Sequence, residues 1–399
     1  MSSPQADATR PAPLPLHTED QLLAEALKTL PVLRANAHTT EARRRPAAAN
    51  LDRLRAAGLL RLTTPQNRGG WEASIRTQVE VGLALARACP STAWVAGIYN
   101  GVKPMTVMLP PAAVEEFYAF GPDVLVCSVA SVHGQAVRVD GGVLLSGTWA
   151  AASGCEDADW ALLGTALPKT AEDPHSAATV LVPVKDLQVK DTWHVAGLSG
   201  TGSQSLVADG VLVPNHRIIT AAVAAAAGGG AGFPAALKIG SALNLLAPVV
   251  GAAVGALDAV RQTLESGRGI MASVYRDTTD SPSAQMWLGE ADRLISRAAR
   301  QVVAVASEAD AALVGEPLAP QERSALRMEM VAAIENARSG MSKLLDLNGT
   351  AGFAQSHPLQ RFWRDMETGS RHVQFNPFLT REDYGRLLAG VQSPVSLLL

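Results

Sequence analysis

The stretch Arg364-Asp-Met-Glu-Thr-Gly-Ser-Arg-His-Val-Gln-Phe-Asn-Pro377 sets one histidine, His372, in a run that otherwise reads as a helix packed in a core. That helix is expected over 357–373, with a short one at 379–390 after it. Histidine alone has an unperturbed pKa between about 5 and 8, so an imidazole in this place suggests proton chemistry.

Working outward, 235–266, 282–314 and 320–347 repeat their apolar residues at helical spacing, broken only at 315–320 and 348–352. Brief loops between long amphipathic helices predict an antiparallel bundle over 235–399. Ahead of it, 221–234 holds four glycines among alanines and reads as a flexible linker or lid. From 122 to 220 the period shortens. Val124-Leu-Val-Cys-Ser-Val129, Ala136-Val-Arg-Val139, Val143-Leu-Leu-Ser146, Trp160-Ala-Leu-Leu163, Ala178-Thr-Val-Leu-Val182 and Val211-Leu-Val213 are strand-like runs, with Asp140-Gly141-Gly142 as a hairpin turn. Residues 19–121 read as helices, and the Pro/Ala-rich 1–18 as a disordered leader. The predicted class is α+β: an N-terminal helical domain, a central β-barrel or sandwich domain, and a C-terminal bundle.

A formal charge of −3 leaves no basic field for nucleic acid. Cys89, Cys127 and Cys155 are odd in number and form no CxxC, which argues against a disulfide framework or a zinc site and fits a reducing cytosol. No histidine pair has ligand spacing, so no metal is expected. The most apolar stretch, 235–260, is interrupted by Lys238, Asn244 and Pro248 and reads as a buried helix, not a membrane span. His17, His38, His175, His216 and His357 read as structural or exposed; His133 and His194 are second-rank candidates.

Two segments suit a flat ligand on physical grounds. In Trp149-Ala-Ala-Ala-Ser-Gly154 small residues allow close backbone approach and Ser153 offers a hydroxyl to a ring nitrogen; an ordinary strand end reads the same way. Gly197-Leu-Ser-Gly-Thr-Gly-Ser203 exposes backbone N–H groups fit for a phosphate or ring carbonyl, or is simply a turn.

Together with Cys89-Pro-Ser-Thr-Ala-Trp-Val-Ala-Gly97, and with Asn348-Gly-Thr-Ala-Gly-Phe353 followed by His357-Pro358 and Arg364-Asp365, these segments carry a family resemblance. From about residue 20 to 390 the chain resembles the acyl-CoA dehydrogenase superfamily, and within it the two-component flavin-dependent monooxygenases. The resemblance implies an oxygenase component assembled as a homotetramer, and the cysteine pattern predicts that it is cytoplasmic. It would take reduced FMN or FAD from a separate NAD(P)H:flavin reductase and form a hydroperoxyflavin with O2. It implies His372 and Ser153 as catalytic residues, the latter near flavin N5. Trp149, Ser153, Gly154, Thr201, Ser203, Arg268, Gly349 and Thr350 would face the cofactor. Trp94, Asn100, Cys127 and His133 would face the substrate. Arg268 reads either as the partner of a flavin phosphate or as a solvent-facing arginine. Many relatives carry arginine where this chain has Leu198-Ser199.

The implied substrate is a phenolic or polycyclic aromatic; amine or amino-sugar N-oxygenation on the same scaffold is the alternative. An acyl-CoA dehydrogenase would need a carboxylate base, and the family's position for it falls at or near Val373. Glu367 lies five or six positions upstream and faces elsewhere on a helix that turns about 100° per residue. No GxGxxG follows a strand, so nicotinamide is not expected to bind directly. An oxygenase site asks for a dry cleft and one acid/base of near-neutral pKa, which is the role proposed for His372.

Overall fold

The computed structural model describes residues 19–168, 177–220, 222–223 and 233–396. The leader at 1–18, most of the linker at 221–234, and His17 and His175 lie outside the described residues.

Helices α1 (Glu19–Ala35), α2 (Ala37–Arg43), α3 (Ala48–Ala56), α4 (Ile75–Ala86), α5 (Pro90–Val102) and α6 (Pro111–Tyr118) come first. Leu22, Ala26, Leu30 and Leu33 of α1 are buried, three or four residues apart, as a one-faced helix requires. Ser74 caps α4 by accepting from Thr77 N, while the Asp310 carboxylate accepts Ile75 N and Arg76 N at 2.7 and 2.9 Å. An acid from the bundle thus satisfies two of the orphan amides at that helix start.

The strands are β1 (Val126–Val139), β2 (Gly142–Ala152), β3 (Trp160–Ala166), β4 (Ala177–Pro183), β5 (Gln188–Lys190), β6 (Gln204–Pro214) and β7 (Ile218–Thr220). They form one seven-stranded sheet in the order β5-β6-β2-β1-β3-β4-β7, antiparallel except for β1 beside β3. Two runs read separately in the sequence join into β1, whose register against β3 slips between Val129 and Gly134. That slip is where the exposed Ala130-Ser-Val-His133 interrupts the alternation.

Helices α7 (Ala235–Leu264), α8 (Pro282–Val314), α9 (Pro320–Asn348), α10 (Pro358–Gly369) and α11 (Pro377–Leu388) follow. Ser281, Asn376 and Pro at the first position set the starts of α8 and α11. α7 is long and apolar enough to cross a membrane, but 83% of its most apolar window is buried against the other helices. Its apolar surface is therefore consumed by the core. α10 stops at Gly369, short of the expected residue 373, so His372 sits in a turn after the helix.

α5 and α7 touch backbone to backbone at Gly97. A Cβ there would lie 2.2 Å from Asn244 O. Gly97→Ala is therefore expected to cost about 1–3 kcal/mol by forcing α5 off α7, read as a lower midpoint in denaturant unfolding; an unchanged midpoint would show that this contact yields freely.

Candidate active site

Three segments meet at Trp94. α5 carries this indole, which is buried at 4% exposure and donates Nε1–H to Ser153 Oγ at 3.2 Å. Ser153 follows β2 through Ala151, a non-glycine residue at φ +60°. Its oxygen lies 2.7 Å from Ser203 Oγ, and Ser203 Oγ lies 2.7 Å from Thr201 Oγ1. Thr201 donates to Leu198 O at 2.7 Å.

A hydroxyl has one hydrogen, and a carbonyl only accepts. With Thr201 committed to Leu198 O, Ser203 must donate to Thr201, and Ser153 to Ser203. The chain therefore runs Trp94 to Ser153 to Ser203 to Thr201 to Leu198. Ser153 spends its own hydrogen inward and keeps a lone pair to accept a donor from a bound molecule. The sequence suggested a hydroxyl that donates to a ring nitrogen; the hydrogen-bond inventory reverses that direction.

His372 meets the other side of the indole. Its ring centroid is 5.5 Å from that of Trp94 at 74°, and 6.1 Å from Phe375. Nδ1 accepts Gln374 N at 3.4 Å, as a cap for the turn Val373–Phe375, so Nε2 is the nitrogen left for a ligand. Burial pushes the imidazole down to about 4. The near-neutral value expected from the sequence is not met, and at pH 7 the ring is neutral.

The other sequence candidates divide sharply. Thr201 and Ser203 belong to the chain just described. Gly154 is buried beside it, but its N–H goes to Thr201 O at 2.9 Å and its carbonyl takes Tyr99 Oη–H at 2.7 Å, so its backbone serves the fold and not a cofactor. Trp149 is a correction: its indole is fully buried in the β core, donates to Gly164 O at 2.7 Å, and lies against Gly134 and Gly147. Cys127 is likewise buried in that core, its thiol pushed well up by burial, and meets no substrate cleft. Asn100 is spent on the fold, accepting Leu62 N at 3.1 Å and donating to Leu59 O and Ala96 O. His133 is exposed at the register slip of β1, and His194 is exposed beside Arg44 and Asp191.

Arg268, Gly349 and Thr350 line a separate cavity of about 260 Å³ with Asn348 and Thr278. A cavity of about 550 Å³ near Lys103 and Tyr118 includes none of the candidates. The dehydrogenase alternative loses its base in space as well. Val373 is 63% exposed, and Glu367 is held by Arg338 and Arg371, which keep its carboxyl below the usual range despite burial.

A reduced flavin fits these residues. Ala150 and Ala151 are small and exposed next to Ser153, leaving room for a flat ring, and the spare lone pair of Ser153 suits a ring N–H. Sequence reasoning missed Leu198 as the end of the hydroxyl chain and Asp365 as its partner; Leu198 N donates to Asp365 Oδ1 at 2.6 Å. The pairing of Arg364-Asp365 with a distant Gly-Leu turn was the only signal.

Residues 243–377 match the family model described as acyl-CoA dehydrogenase, C-terminal domain. The chain is 32% identical over 382 residues to the FADH(2)-dependent resorcinol hydroxylase, oxygenase component, of Rhizobium sp. (strain MTP-10005), covering 92% of this chain and 93% of that one. It is 32% identical over 365 residues to the flavin-dependent monooxygenase, oxygenase subunit HsaA, of Rhodococcus jostii (strain RHA1), covering 89% and 95%. The structure of XiaF from Streptomyces sp. in complex with FADH2 and glycerol superposes with a TM-score of 0.88 at 32% identity, covering 96% of this chain and 98% of that one. The Trp94-centred site therefore sits in a chain that belongs to the flavin-dependent monooxygenases of the acyl-CoA dehydrogenase superfamily, among their oxygenase components.

Proposed function

We propose that this protein hydroxylates a phenolic aromatic, using O2 and reduced FAD delivered by a separate reductase. The observation that carries the proposal is Trp94, which bridges the Ser153 hydroxyl and the His372 imidazole. Bound reduced flavin would supply two electrons to activate O2, one of whose oxygen atoms goes to the substrate while the other leaves as water. The protein's own work is positional. Ser153 accepts the ring N–H. Trp94, Phe375 and Leu198 keep water away, which strengthens each polar contact in the cleft. His372 meets the phenolic oxygen through Nε2, which carries the ring hydrogen because Nδ1 accepts Gln374 N–H, and donates to that oxygen as the ring is attacked. A neutral imidazole suits that task, since its Nε2–H is a donor that brings no unpaired positive charge into a desolvated place.

FAD is favoured over FMN because the resorcinol hydroxylase is named for FADH(2) and XiaF was solved with it. The Arg268–Thr350 cavity is compatible with a homotetramer in which this cavity of one copy receives the phosphates of a flavin whose ring lies at Ser153 of another. A reducing, cytoplasmic setting agrees with three buried free thiols.

His372→Ala is expected to lower phenol hydroxylation about 10²-fold or more, with reduced FAD oxidised as before and the O2 released as H2O2. His372→Asn separates donor from base: recovery of product would assign His372 to hydrogen bonding alone. Wild-type product yield in His372→Ala, by chromatography of the hydroxylated phenol, would remove His372 from the chemistry. Arg268→Ala is expected to weaken FAD binding about tenfold and FMN binding less, as measured by flavin fluorescence titration; equal effects on both would place the FAD adenylate elsewhere.

A further inference from the structure

The contacts between α10 and the 196–203 turn reach beyond packing. Arg364 donates to Ala196 O and to the Glu41 carboxylate. A Cβ on Gly369 would stand 3.2 Å from both Leu198 Cδ1 and Trp94 Cζ3. On the same helix Asp365, only 5% exposed, accepts Leu198 N–H on Oδ1 at 2.6 Å, and its Oδ2 lies 3.4 Å from Ser91 Oγ. Leu198 is a left-handed residue at φ +54°, a conformation a leucine holds only when its surroundings impose it. Its carbonyl ends the hydroxyl chain from Ser153 and also takes Trp193 Nε1–H at 2.9 Å. Asp365 thus grips the residue that anchors Ser153, and the same segment delivers His372 seven positions later.

We propose that Asp365 is a positioning residue: by holding Leu198 it keeps the Ser153 hydroxyl and the His372 imidazole in one register across the cleft. The role rests on the flavin site proposed above and extends it to a residue that touches neither flavin nor substrate.

Burial pushes the Asp365 carboxyl up to about 6; the Leu198 N–H opposes this, Glu41 adds to it, and Arg361 and Arg364 counter it. The Cys89 thiol also feels its charge. At neutral pH the group is ionised against that cost. Asparagine has the same shape and could accept from Leu198 without it, so stability alone does not call for aspartate.

The test is Asp365→Asn, with Asp365→Ala beside it. At pH 7.5 Asp365→Asn is expected to unfold at the wild-type temperature or above. In the flavin-free protein its Leu198 amide should exchange with deuterium about fivefold faster, because a neutral acceptor replaces a charged one. With reduced FAD and a phenol, H2O2 released per flavin oxidised should rise by a similar factor. In the wild type that release should climb as pH falls through about 6, and in Asp365→Asn it should be flat. Asp365→Ala should exaggerate both effects and lower the unfolding temperature. Wild-type Leu198 exchange in Asp365→Asn would overturn the proposal, as would a loss of coupling that only follows lost stability. A wild-type protein that hydroxylates no phenol would overturn the phenolic-substrate reading separately, leaving the Leu198 amide to decide the grip by itself.

Discussion

The indole of Trp94 reaches from a helix of the N-terminal block to a serine just past the end of a strand and a histidine in a turn of the bundle, and it touches both. Few side chains can do this; tryptophan offers a large apolar body and one N–H that must be satisfied when buried. Because that N–H is donor-only, Ser153 must accept it. The remaining hydroxyls then have one consistent direction, ending at Leu198 O. The polarity of the cleft thus follows from the chemistry of one indole and one carbonyl at the two ends of a short chain. Three parts of the fold must stay in place for it to hold: α5, which packs on α7 at Gly97; β2; and α10 with the turn that leads to His372.

The order of helices, strands and helices was legible because the apolar period changes from about 3.6 to 2 and back, and that pattern survives any detail of packing. Ser153, Thr201, Ser203 and His372 stood out because polar groups stand there in apolar or glycine-rich surroundings, and the structure gathers them around Trp94. Trp149, Cys127 and Asn100 were misplaced for one common reason. A strand or helix position tells which face a side chain takes relative to its neighbours, but not which of two buried faces borders a cleft. Trp149 lies four residues before Ser153, on the strand that Ser153 follows, yet it packs in the β core while Ser153 meets Trp94. The strands β5 and β7 have three residues each, too few to show a period. The end of α10 at Gly369 was hidden because apolar spacing continues through Phe375, which is buried from a turn and not from a helix. Asp365 was visible in the sequence only as half of an Arg-Asp pair, since its partner is an amide 167 positions away.

The two buried titratable groups of the site pull the pH dependence of stability in opposite directions. His372 is held down to about 4 from an ordinary 6.5, so between those values the unfolded chain takes a proton that the folded one refuses, and stability rises with pH. Asp365 is raised to about 6 from an ordinary 3.8, so between those values the folded chain keeps a proton the unfolded one has lost, and stability falls with pH. From about 4 to 6 the two one-proton slopes overlap and oppose each other. The same desolvation causes both shifts, as expected when an acid and an imidazole share one dry region. A site of this kind can therefore change its protonation over the mildly acidic range with little net change in the free energy of the fold from these two groups. These two groups therefore let function respond to pH there without together imposing a steep pH dependence on stability.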